Sequence, residues 1–214
     1  MAHPSPQFVL EQIGITVAAL SGALAARGRR IDLFGVIVLA LVTAFGGGTV
    51  RDLMVGDLPV VWLRSPVYLV NATVTGLATF VVIRFREVPV QALLVADAFA
   101  LALFTMIGVQ KGLRLHFSPG VAVLLGIVTG VAGGIIRDVL TGQVPLVFQP
   151  EIKLYATASF CGAMIYSGVH FVGMSDSVAS GIGSFVVLAL RLAGIKWGLT
   201  LPMFPEGIER GSKK

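Results

Sequence analysis

Two adjacent arginine–aspartate pairs, Arg51–Asp52 and Arg137–Asp138, stand in stretches otherwise almost free of charge. Glycines come just before each: Gly46, Gly47 and Gly48 before the first pair, Gly133 and Gly134 before the second. A charged residue inside an apolar helix costs at least about 2.5 kcal/mol on insertion scales, so it faces a protein interior or water. Glycine in a helix interior costs about 1 kcal/mol relative to alanine. Two readings explain their coincidence. The helices could pack unusually close at the glycines. Alternatively they could lose their winding there, baring carbonyl oxygens that suit K+ or Na+ and N–H groups that suit anions. Thr43, Thr49 and Thr129 flank the glycines; their hydroxyls could serve an ion or satisfy a freed carbonyl.

The elements that would carry these groups are membrane helices. The chain has 214 residues, 56% hydrophobic and 13% charged, with mean hydropathy +0.90; soluble domains carry about 25% charge. Apolar runs predict an all-α polytopic membrane protein with seven spans: Phe8–Ala26, Leu33–Val55, Pro66–Ile83, Gln91–Val109, Pro119–Thr141, Ile152–Val172 and Ser177–Ala193. Residues 1–198 read as one transmembrane domain and 199–214 as a polar tail. The net charge of +5 points to topology and anionic lipid headgroups rather than nucleic acid. Alternating the spans puts ten Lys and Arg on one side (Arg27, Arg29, Arg30, Arg84, Arg86, Lys153, Lys196, Arg210, Lys213, Lys214) and three on the other (Arg64, Lys111, Arg114). The expectation is a multi-pass plasma or inner-membrane protein with its N-terminus outside and C-terminus cytoplasmic.

An offset of 86 residues aligns Thr43–Pro59 with Thr129–Pro145, with seven of 17 positions identical. It also places Glu11 on Asp97 and Gly22 on Gly108. Spans 1–3 (about 8–86) therefore repeat as spans 4–6 (about 91–173), leaving the seventh (about 177–196) extra. An odd number of spans per copy inverts the second copy, an architecture common in transporters and channels. Side chains at i and i+1 diverge on a helix, so the arginines are expected to pair elsewhere, as Glu11–Arg51 and Asp97–Arg137. Asp52 and Asp138 would then be free to line a cation path; the alternative is that all these charges lock helices together.

No nucleotide-binding loop, nucleophile triad or Cys/His metal cluster is evident, so an enzyme is not expected, nor is a cofactor. The doubled Gly-Gly-x-x-Arg-Asp-x-x-x-Gly-x-x-Pro pattern in a seven-span chain resembles the prokaryotic trimeric intracellular cation (TRIC) channels, whose bacterial members are also described as glycine transporters. The resemblance covers about Phe8 to Gly198. It implies a homotrimer with a monovalent-cation (K+, Na+) pore in each protomer, between helices 2 and 5, kinked at Gly46, Gly47, Gly48, Gly133 and Gly134. Ala132 replaces the first glycine of the second run, which breaks exact symmetry. The same inverted repeat could serve a secondary transporter of a small zwitterion such as glycine.

Overall fold

The computed structural model describes residues 5–89, 91–149 and 154–198. The tail 199–214, Lys153 and the expected start of the sixth span at Ile152 lie outside them. Seven helices follow one another: α1 (Pro6–Leu24), α2 (Leu33–Val55), α3 (Pro66–Phe85), α4 (Gln91–Arg114), α5 (Pro119–Leu140), α6 (Tyr155–Phe171) and α7 (Asp176–Trp197). Short 3-10 turns, Val61–Leu63 and Leu146–Phe148, follow α2 and α5. Among the described residues, six helices are long and apolar enough to cross a membrane, and α6 has 17 residues. Helix starts are written in the sequence. Pro6, Pro66 and Pro119 open α1, α3 and α5, where a missing N–H loses nothing. Asp32 caps α2 by accepting from the Gly35 N–H at 2.8 Å, and Ser5 and Ser175 cap α1 and α7 in the same way.

The packing obeys the repeat. α1 lies on α2 and α3 as α4 lies on α5 and α6, while α1–α4 and α2–α5 join the two halves. α7 packs on α4 and α6. One apolar cluster centres on α1–α3 and another on α4–α7. Large side chains such as Phe34, Phe85, Phe171 and Phe185 point outward, which suits surrounding lipid. The end of the bundle that holds Pro6 and the α2–α3, α4–α5 and α6–α7 connections is termed the N-face; the opposite end is the C-face.

α2 and α5 are continuous helices through their glycines. The expected break at Gly46–Gly48 and Gly133–Gly134 does not occur. The glycines instead let two backbones touch. A Cβ on Gly47 would lie 2.0 Å from the Thr129 carbonyl oxygen, and one on Gly133 would lie 2.4 Å from that of Thr43. These contacts exchange under the 86-residue offset, and rising numbers on α2 meet falling numbers on α5. The helices therefore run antiparallel about a pseudo-two-fold axis through the crossing, the geometry of an inverted repeat.

Close approach gives a direct test. Gly47→Ala and Gly133→Ala should each destabilise the protein by about 1–3 kcal/mol through overpacking, read as a lower melting temperature in detergent. Gly48, whose Cβ would meet only the Arg51 side chain at 3.8 Å, should accept alanine with no loss, gaining up to about 1 kcal/mol of helix propensity.

Candidate functional site

The repeated motif is a helix ending. At the end of α2, Gly56 adopts a left-handed conformation (φ +67°), which glycine allows without strain, and the Asp57 N–H returns to the Asp52 carbonyl at 2.9 Å. The chain then passes Pro59 into the 3-10 turn, where the Val61 N–H donates to Asp52 Oδ2 at 2.9 Å. The second copy repeats each element. Gly142 has φ +67°, Gln143 N–H returns to the Asp138 carbonyl at 2.8 Å, and Leu146 N–H donates to Asp138 Oδ2 at 2.9 Å. The Asp, Gly and Pro spacing is thus the spacing needed for one carboxylate to bind its helix to the turn that follows.

The other carboxylate oxygen holds the neighbouring arginine. Arg51 Nε donates to Asp52 Oδ1 at 2.9 Å, and Arg137 Nε to Asp138 Oδ1 at 2.8 Å. This corrects the expectation that adjacent side chains diverge and leave both aspartates free. The Cβ directions do diverge, but a long arginine side chain reaches back across that gap. Asp52 also receives Lys111 Nζ at 2.6 Å, and Lys111 bonds Asp57 as well. Asp52 is fully buried.

The two arginines differ in their remaining partners. Arg137, 0% exposed, places Nη1 2.8 Å from Asp97 Oδ1 and 2.5 Å from the Ser21 hydroxyl. Arg191 of α7, also 0% exposed, approaches Asp97 Oδ2 at 3.6 Å and lies 4.4 Å from the centroid of the Tyr155 ring. The Glu11–Arg51 pair is not formed. Glu11 accepts from the Tyr68 hydroxyl at 2.7 Å and from Gln7 Nε2 at 3.1 Å. The repeat counterpart of Ser21 is Ile107, which has no acceptor to offer Arg51.

The threonines serve the helices. Thr43 donates to the Leu39 carbonyl and Thr129 to the Leu125 carbonyl, each at 2.6 Å, while Thr49 accepts from Trp62 Nε1 at 3.0 Å. Gly46 packs against Gly133 and Ile136, and Gly134 leaves room for the Tyr155 hydroxyl and Asp97.

Two polar cavities enter from opposite ends. The N-face cavity, about 450 Å3, is lined by Glu11, Arg51, Asp57, Arg64, Lys111 and Arg114. The C-face cavity, about 490 Å3, is lined by Arg27, Arg29, Asp138, Thr141, Gln143 and Gln149. The α1–α2 loop roofs the latter: Arg29 donates to the Thr141 carbonyl at 2.6 Å and Arg27 to the Val88 carbonyl. In the N-face mouth, hydrogen bonds from Lys111 and then Arg64 hold the Asp57 carboxyl below its ordinary pKa. At the α2–α5 crossing the two backbones are in direct contact.

Lys111, Arg191 and Tyr155 were not singled out from sequence. Lys111 lies beyond the expected end of the fourth span at Val109 and so reads as a loop residue, whereas α4 runs on to Arg114. Arg191 carried a usable signal, a charge within the seventh apolar run. Tyr155 carried none.

Residues 8–84 and 94–170 each match the profile of a family described as "Glycine transporter", two copies separated by the same 86 residues as the motif. The Escherichia coli UPF0126 inner membrane protein YadS is 44% identical over 197 residues, which cover 91% of this chain and 94% of that protein. The UPF0126 membrane protein of Vibrio cholerae is 40% identical, covering 92% and 82%. Among solved structures, the TRIC trimeric intracellular cation channel orthologue from Rhodobacter sphaeroides superposes with a TM-score of 0.85 at 32% identity, covering 90% of this chain and 98% of that one. With its doubled motif, its inverted three-helix repeat and these likenesses, the chain belongs to the glycine-transporter (UPF0126) family, which it shares with the prokaryotic TRIC channels.

Proposed function

We propose that this chain is a monovalent cation channel, permeable to K+, with one pore in each protomer of a homotrimer between α2 and α5. The observation that carries the reading is the pair of polar cavities. They lie at opposite ends of the bundle, one lined by Arg51 of α2 and the other by Asp138 of α5, the two helices that touch at the glycine crossing. The TRIC cation-channel structures that the chain resembles, one of them described as trimeric, support cation passage and self-association.

On this reading the crossing is the gate. Conduction requires α2 and α5 to separate at Gly46–Gly47 and Gly133, where backbone contacts and the packing of Ile136 on Gly46 must be lost. Arg51, Asp52, Arg137 and Asp138 form the charged collars on either side. Their mutual pairing keeps each collar close to neutral, while Arg27 and Arg29 over the C-face cavity are held by backbone carbonyls. Around the N-face cavity, Arg51, Arg64, Lys111 and Arg114 are matched by Glu11, Asp52, Asp57 and Asp176. The protein sits in the inner membrane as a single transmembrane domain, with its N-face outside and its C-terminus cytoplasmic, by the ten-to-three distribution of Lys and Arg. The family description keeps a second reading, carriage of glycine or a similar zwitterion.

Planar-bilayer recording separates the two. Step-like K+ currents without any organic solute are expected. Silent bilayers together with saturable glycine uptake into liposomes would replace the channel with a carrier. A finer test concerns the N-face mouth. Asp57→Asn should lower cation flux about twofold or more, by making the mouth more positive. Asp57 has a depressed folded pKa. Its contribution to stability is therefore present above its unfolded pKa and is lost only as pH falls through the lower folded value. The difference between wild type and Asp57→Asn should accordingly persist unchanged from pH 7 to about pH 5.

A further inference from the structure

Arg191 is an anomalous residue for a helix that has only to pack. It is 0% exposed, and Nε, Nη1 and Nη2 all lack a hydrogen-bond acceptor among the described residues. Its contacts are the face of Tyr155 and, at 3.6 Å, Asp97 Oδ2, which has no hydrogen-bond partner among the described residues. A buried guanidinium with unfilled donors is a poor fastener, and an apolar side chain of similar volume commonly serves stability as well or better. Buried charge within membrane segments more often marks an ion pathway.

The charge count shows what Arg191 does supply. In the N-face half, Arg51, Lys111 and Arg64 face Asp52 and Asp57, and Glu11 in the same cavity wall makes the set neutral. In the C-face half, Arg137 faces both Asp97 and Asp138, a set with one negative charge too many. Arg191 makes that set neutral. It comes from α7, the helix outside the repeat, so the second copy borrows its second cation where the first takes Lys111 from α4.

Building on the channel reading above, we infer that Arg191 is a barrier-setting residue of the cation route: through Asp97 it cancels the excess negative charge of the buried Asp97–Arg137–Asp138 set, which lies apart from the exposed Arg27 and Arg29, and so limits cation flux there. Asp97 passes the effect on, because one carboxylate oxygen holds Arg137 while the other faces Arg191. Arg137 in turn holds Asp138, which lines the C-face cavity. Replacing Arg191 with a neutral residue leaves a net charge of −1, which attracts permeating cations. Removing the charge of Asp97 leaves +1. Removing both restores zero.

The test is K+ flux from liposomes holding the full-length protein, compared for wild type, Arg191→Met, Arg191→Gln, Arg191→Lys, Asp97→Asn and the Asp97→Asn/Arg191→Met double variant. Melting temperature in detergent reports on folding. Arg191→Met and Arg191→Gln should raise flux about fivefold or more. Asp97→Asn should lower it by a similar factor. The double variant should return to within about twofold of wild type, a coupling that independent sites would not show. Arg191→Lys keeps the charge but not the planar stacking, so it should conduct like wild type; a purely structural role predicts the opposite order. If wild type conducts and both neutral variants conduct equally, or if the double variant does not return, the role of Arg191 is overturned and the channel stands. If wild type passes no K+, both are overturned.

Discussion

The approach of Gly47 to the Thr129 carbonyl, and of Gly133 to that of Thr43, is the contact around which the molecule is arranged. Without it α2 and α5 could not cross backbone to backbone, and the two halves would lose their central junction. Hydrogen atoms in place of side chains do two things at once here. They allow dispersion contact along the crossing, and they leave no bulky side chain wedged into it. Two backbones in contact can shift against each other with little rearrangement. Apolar side chains interleaved at the same place would have to change rotamer.

Around this crossing the charges are handled conservatively. Both copies of the motif place a carboxylate where it meets an arginine on one oxygen and a backbone N–H on the other. An isolated buried charge is prohibitive, while a pair with further hydrogen bonds is tolerable. The halves then diverge. Tyr68 takes Glu11 away from Arg51, whereas Asp97 stays on Arg137 with Ser21 beside it. The charge of the N-face motif is thus completed by Lys111 from a helix end at the mouth, and that of the C-face motif by Arg191 from within α7.

The helices and their inversion were legible in the sequence for physical reasons. Apolar runs near 20 residues, opened by Pro66 or Pro119, have few alternatives in a membrane, and the Gly, Arg, Asp and Pro of the motif recur at one offset. The state of α2 and α5 was not legible. Glycine runs favour unwinding and close packing alike, and the outcome depends on whether a partner backbone arrives within contact distance, which is tertiary information. The pairing of Arg51 with Asp52 is not written in the Cβ directions, which diverge, but in the reach of a guanidinium back across that gap. The Asp97–Arg137 contact followed from a shared depth in the bundle. Its mirror image failed because Tyr68, distant in sequence, competes for Glu11.

The carboxylate that ties each helix end to its following turn has a mechanical consequence. Asp52 makes α2 and the corner at Val61 one stiff piece, and Asp138 does the same for α5 and the corner at Leu146. Each bent rod has one arm at the bundle's centre and its elbow at a membrane surface. A tilt of the long arm swings the elbow with it, so the two surfaces of the protein are geared to its middle and to each other.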